Sequence, residues 1–115
     1  MKKINLAISG CMGRMGQQLI KSSNKNKNFK LVALTENRLV NKKFNKIQPE
    51  LNSEKAFKKA DVIIDFTVPN CTLDILKIAS RLKKRVVIGT TGFTRSQENL
   101  IKEYSKKIPK KKLAI

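Results

Sequence analysis

Three glycines, Gly10, Gly13 and Gly16, stand three residues apart in ISGCMGRMGQQLI, between an apolar run and a helical pattern. Glycines at such a seam suit phosphate chemistry. Gly10 would make the tight turn out of a strand, Gly13 would let backbone approach a pyrophosphate, and Gly16 would let the helix pack against the sheet. The pyrophosphate would then meet the helix amino terminus, where unpaired N–H groups and the positive dipole end favour an anion. Arg14 adds a mobile cation there. Glu36 follows Gly16 by about 20 residues, the distance at which a carboxylate accepts hydrogen bonds from a ribose diol. The spacing departs from the G-x-G-x-x-G pattern: Met12 stands where the second glycine belongs. Its side chain narrows the approach, so the phosphates are expected mainly on the Gly13 and Arg14 amides. No G-x-x-x-x-G-K-[ST] loop occurs, which argues against a nucleoside triphosphatase.

Around these residues the pattern alternates strand and helix. Ile4 to Ile8 and Phe29 to Leu34 read as strands, and the segment between them places Met15, Leu19 and Ile20 on one helical face. Strand, helix, strand is the parallel crossover unit. DVIIDF, Asp61 to Phe66, reads as a third strand whose near-continuous apolar run fits burial on both faces. Pro69 and Asn70 open a helix carrying Leu73, Leu76, Ile78, Ala79 and Leu82. Val86 to Ile88 is a fourth strand. Thr94 with Gln97 forms a capping box for a helix that stops near Pro109, and Lys112 to Ile115 would begin a fifth strand. Asn37 to Asn52 reads as a polar loop leading to a weak helix at Ser53 to Lys59. The fold class is α/β, a Rossmann-like doubly wound parallel sheet, incomplete at the C-terminus, in one domain over residues 1–115.

In such sheets ligands collect beyond the carboxyl ends of the strands. Those ends carry Gly10 to Gly16, Thr35-Glu36-Asn37-Arg38, Thr67, and Gly89-Thr90-Thr91-Gly92, while lysines crowd the opposite ends. A single crevice would gather the four.

Charge is the other prominent feature: 26 Lys and Arg oppose 8 Asp and Glu, giving +18 with no histidine. Such a balance suits nucleic acid. Here the lysines are scattered over loops and element ends, and aromatic stacking residues are few, with five Phe, one Tyr and no Trp. Solvated faces are the better reading, and no specific nucleic acid partner is expected. No apolar stretch approaches the roughly 20 residues of a membrane span, so no membrane partner is expected either. Cys11 and Cys71 stand in different elements without a disulfide framework, which suits a reducing cytoplasm.

Gly10-Cys11-Met12-Gly13-Arg14-Met15-Gly16, Ile64-Asp65-Phe66-Thr67-Val68-Pro69 and Val87-Ile88-Gly89-Thr90-Thr91-Gly92-Phe93 together resemble the amino-terminal domain of the 4-hydroxy-tetrahydrodipicolinate reductases, formerly called dihydrodipicolinate reductases. The blocks come in the family's order and span essentially the whole chain. The resemblance implies an enzyme that uses NADH or NADPH to reduce a cyclic intermediate on the path to diaminopimelate and lysine, in the cytoplasm, usually as a homotetramer. Carried over position by position, Gly10, Cys11, Met12, Gly13, Arg14 and Met15 would contact the cofactor phosphates. Glu36 would take the adenosine ribose, Gly89, Thr90 and Thr91 the nicotinamide side, and Phe66 and Thr67 would line the crevice. Some members place an arginine directly after the acidic residue to grip a 2'-phosphate. Asn37 stands there in this chain, with Arg38 one place later, a pattern that leans towards NADH and leaves NADPH open.

The family's histidine-containing catalytic motif and its glycine-rich carboxylate-binding segment do not occur in these 115 residues. No catalytic residue is therefore assigned, these residues alone are expected not to catalyse the reduction, and a tetramer is not expected of them alone. Asp65 reads as a strand-end hydrogen-bonding residue rather than an acid or base. Cys11 and Cys71 read as small fillers, and Asp61 and Asp74 lack the neighbours for a metal site. The alternatives are another nicotinamide-dependent oxidoreductase with the same opening unit, or a basic nucleic-acid-binding protein. The I-D-F-T and G-T-T-G-F blocks argue against the first, and the scattered charge against the second.

Overall fold

The computed structural model describes residues 3–108. Five parallel strands, β1 (Ile4–Ser9), β2 (Phe29–Glu36), β3 (Glu50–Leu51), β4 (Val62–Asp65) and β5 (Arg85–Ile88), form one sheet in the order β3-β2-β1-β4-β5. Four helices connect them or follow the last: α1 (Arg14–Lys25), α2 (Glu54–Phe57), α3 (Pro69–Leu82) and α4 (Arg95–Ser105). The chain builds outward from β1 in one direction to β3 and then in the other to β5. Strand order therefore reverses between β1 and β4, the place where such sheets open a crevice. The α/β expectation holds. The strand expected at Lys112 to Ile115 lies outside the described residues.

Alternation along the strands divides the core in two. On β1 and β2, Ile8 and Leu34 face α1 and meet Cys11 and Ile20, while Ala7 and Ala33 face the other side. That second side holds Phe57, Ile63, Ile75, Leu76, Ala79 and Val86, all buried under α2 and α3. Alanines on this face leave room for the fully buried Phe57 ring.

Three expectations change. The 37–52 stretch is not wholly loop, because Glu50–Leu51 pairs with Thr35 and Glu36 as the short edge strand β3. The buried face of α1 is Gly16, Ile20 and Ser23, so Met15 lies off that face and is exposed despite its apolar character. Gly16 admits the preceding turn rather than the sheet: a Cβ there would fall 2.1 Å from the Gly10 carbonyl oxygen and 2.8 Å from the Cys11 Cα. The Thr94 cap was expected from the sequence, and the Ser53 cap was not. Ser53 Oγ accepts from the Ala56 amide to open α2, and Thr94 with Gln97 forms the full capping box of α4.

Every described lysine except Lys84 is exposed, in keeping with solvated faces. Among the described residues no helix is long and apolar enough to cross a membrane.

Candidate functional site

The turn after β1 is held from below by β2 and from the side by Glu36. The Gly10 and Cys11 amides both donate to the Thr35 carbonyl, at 3.0 and 3.3 Å, and the Gly13 amide donates to the Gly10 carbonyl at 3.0 Å. The Met12 amide donates to Glu36 Oε2 at 3.0 Å, and the Asn37 amide to Oε1 of the same carboxylate at 3.1 Å. The turn's own N–H groups are thus engaged within the protein. The next amides, of Arg14, Met15 and Gly16, are the first-turn donors of α1 and have no acceptor within the helix. Gly13 thus caps α1 with its own amide engaged, and Arg14 and Met15 present the free N–H groups. Gly13 carries no capping side chain, so the approach to them is open.

Gly10 sits where β1 and β4 part. Its φ of +86° belongs to glycine, and a Cβ would lie 2.3 Å from the Phe66 carbonyl oxygen. This contact draws the turn against the end of β4 and closes the floor of the crevice. Above it lies a hollow of about 180 Å³ lined by Gly10, Gly13, Glu36, Asn37, Phe66, Thr67 and Val68. A second hollow, of about 360 Å³, continues past Glu36, Asn37 and Val68 to Asn52, Asn70, Cys71 and Asp74. Together they make an elongated cleft with Glu36 at its waist, a shape for a long polar ligand rather than a compact one.

The loop after β5 joins the site through β4. The Gly89 amide donates to the Asp65 carbonyl at 2.7 Å, and the Phe66 ring lies against Gly89 so closely that a Cβ would fall 2.1 Å from a ring carbon. The Thr67 amide donates to Thr90 Oγ1 at 2.9 Å.

The sequence-expected residues therefore divide. Gly10, Gly13, Glu36, Phe66 and Thr67 share one hollow, Gly89 adjoins it through Phe66, and Arg14 and Met15 stand exposed at the head of α1. Cys11 does not face it: its side chain is fully buried under α1 and its amide is taken by Thr35. Met12 reaches it only through the Glu36 carboxylate. Thr90 is buried with its hydroxyl engaged, whereas Thr91 is exposed. Val68 and Asn52 were missed. Val68 had a signal, an apolar residue just past a strand end, and it is 56% exposed. Asn52 had none, because its place depends on β3, which ends one residue before it and lets its Oδ1 accept the Ser9 hydroxyl of β1 at 3.0 Å.

Both cysteines are free and buried. Burial, assisted by the nearby Glu36 charge, pushes the Cys11 thiol up from 9.0 to about 11. Burial also raises the Cys71 thiol. Cys11 is thus a filler, as the sequence suggested. The folded state holds its proton more tightly than the unfolded chain, so this contribution to stability is intact below about pH 9 and is lost as pH rises towards about 11. In a Cys71→Ala background, Cys11 is expected to resist an aromatic disulfide reagent at pH 8 and to react fully in denaturant. Rapid labelling of the folded protein would contradict the buried placement.

The family model for the amino terminus of dihydrodipicolinate reductase matches residues 4–111. The 4-hydroxy-tetrahydrodipicolinate reductase of Pelagibacter ubique is 74% identical over 109 residues, covering 95% of this chain and 42% of that protein. The chain thus spans less than half the length of the curated relatives it matches. Among solved structures, a dipicolinate-bound dihydrodipicolinate reductase from Paenisporosarcina sp. TG-14 superposes with a TM-score of 0.73 at 26% identity, over 90% of this chain and 43% of that one. A D-galactose-1-dehydrogenase from Rhizobium etli also reaches a TM-score of 0.73, at 25% identity over 93% of this chain and 35% of the other.

Proposed function

The chain belongs to the family of dihydrodipicolinate reductase amino-terminal domains, and on that premise we propose that its cleft binds the NADH or NADPH of a 4-hydroxy-tetrahydrodipicolinate reductase in diaminopimelate and lysine synthesis. The observation that carries the reading is the meeting of three features at the β1–β4 reversal: an uncapped helix start, a turn closed by Gly10, and Glu36 at the waist of an elongated cleft. The pyrophosphate lies at Gly13 against the Arg14 and Met15 amides, where the α1 dipole favours it. Glu36 takes the adenosine ribose diol, and the larger hollow takes the adenine. Phe66, Thr67 and the Gly89–Thr91 loop border the nicotinamide. The bound dinucleotide supplies hydride, and the chemistry assigned to these residues is holding it. Two free cysteines agree with a reducing cytoplasm.

Cofactor preference follows from charge. A Glu36 carboxylate already receiving two amides sits where a 2'-phosphate would come, and like charges repel. Arg38, exposed two residues later, offsets this only partly. Calorimetric titration at low and at physiological ionic strength is expected to show saturable binding that survives salt, with NADH several-fold tighter than NADPH. Binding that vanishes with salt while duplex DNA binds would reduce the affinity to the general effect of the +18 charge and overturn the reading.

A further inference from the structure

Asp65, the last residue of β4, is completely buried, and no ion pair is recorded for it among the described residues. Burying a carboxylate is costly unless hydrogen bonds replace its hydration. Here three hydroxyls do so, each from a different part of the fold. Thr67, in the loop after β4, donates to Oδ1 at 2.5 Å; Thr72, in the first turns of α3, donates to Oδ2; and Thr90, in the loop after β5, donates to Oδ2 at 3.1 Å. The Thr90 hydroxyl has one proton, given to Asp65, and it accepts the Thr67 amide at 2.9 Å. Asp65, Thr67 and Thr90 thereby close a ring that ties the two loops to each other. The Asp65 carbonyl adds a tie by receiving the Gly89 amide.

This ring explains more than a filler would. A buried charge is a weak source of net stability, and apolar groups of the same size fill such a site at least as well. An apolar group would not fix the separation of two loops, whereas a carboxylate with three directed donors does. Those loops carry Phe66, Thr67, Gly89 and Thr91, and the adenosine half of the cleft lies on the other side, towards Glu36 and Asn52. Thr90, buried and with its one hydroxyl proton given to Asp65, is in this arrangement a holder of the loop and not a ligand contact.

We infer that Asp65 is a positioning residue which, through the hydroxyls of Thr67 and Thr90, sets the nicotinamide end of the cleft without touching the cofactor. The inference rests on the dinucleotide reading above and adds which residue governs one end of it.

Two ligands separate the ends: NADH, and ADP-ribose, which lacks the nicotinamide. In the parent chain NADH is expected to bind more tightly than ADP-ribose. Thr90→Val removes the bridging hydroxyl at nearly constant shape and is expected to weaken NADH on the order of tenfold, about the value of a hydrogen bond to a charged group, while ADP-ribose changes less than about twofold. Thr90→Ser restores the hydroxyl and should restore NADH binding. Asp65→Asn should reproduce the Thr90→Val split, with thermal midpoints recorded alongside. Equal weakening of both ligands, or a parent that binds both equally well, would overturn the positioning role and leave dinucleotide binding standing. A parent that binds neither would remove the dinucleotide reading itself.

Discussion

Gly10→Ala is expected to cost about 3 kcal/mol or more of stability and to lower the thermal midpoint by roughly 12–20 °C. Two costs combine. The backbone at Gly10 has φ +86°, which an L side chain adopts only at a penalty of about 1–2 kcal/mol. The new Cβ would also stand 2.3 Å from the Phe66 carbonyl oxygen and 3.0 Å from its carbon. Both obstacles are backbone, so relief requires β1 and β4 to separate at the floor of the cleft. For a domain whose whole stability is typically about 5–15 kcal/mol, the loss is a large share. Gly92 provides the control. It has nearly the same φ, +89°, with nothing within 4 Å of an added Cβ, so Gly92→Ala should show the conformational penalty alone. Equal losses at the two positions, read from thermal denaturation, would mean that the turn does not press on β4.

Gly13→Asp should have the opposite profile, a folded protein that no longer binds. Gly13 occupies the N-cap of α1 with φ −74° and ψ 168°, a conformation any residue adopts, and the nearest atom to an added Cβ is the Gly10 oxygen at 3.3 Å. Aspartate is among the best N-cap residues, and its carboxylate can accept the first-turn amides, so stability should hold or rise by a few tenths of a kcal/mol. The same carboxylate then occupies the place and the charge proposed for the pyrophosphate. Unit charges about 4 Å apart repel by about 1–4 kcal/mol between bulk water and a protein surface, and the lost amides add to this. Affinity for NADH should fall on the order of 100-fold or more. An unchanged affinity in a variant with an unchanged melting curve would move the phosphates away from α1.

The contrast between these glycines marks what was legible before the structure. Strand–helix alternation, the cap at Thr94 and the gathering of four strand ends all depend on local patterns of apolar, glycine and capping residues, which a sequence displays directly. β3 was invisible because two residues in a Lys- and Asn-rich stretch carry no periodicity; only the neighbouring Thr35 and Glu36 make Glu50–Leu51 a strand. Met15 was placed on the buried face by its side chain, while in the structure Gly16 takes that place because the turn leaves no room for more. Which amides of the turn stay free was hidden for a similar reason. Spacing finds the turn, but which amides remain free depends on Thr35 and Glu36 reaching back across the sheet. Asp65 was read as a strand-end hydrogen-bonding residue, which it is; that two of its three hydroxyl partners, Thr67 and Thr90, join two loops follows from β4 and β5 lying side by side.

The proposed site puts the dinucleotide at the amino end of α1, at the carboxyl ends of the strands. Amide mapping by heteronuclear magnetic resonance during an NADH titration tests it most directly. The amides of Gly13, Arg14, Met15 and Asn37 are expected to shift first and furthest, while the basic hollow of about 310 Å³ beside Lys3, Lys27 and Lys30, at the opposite end of the sheet, stays unperturbed. Largest shifts around Lys27 and Lys30, with the head of α1 unmoved, would contradict it.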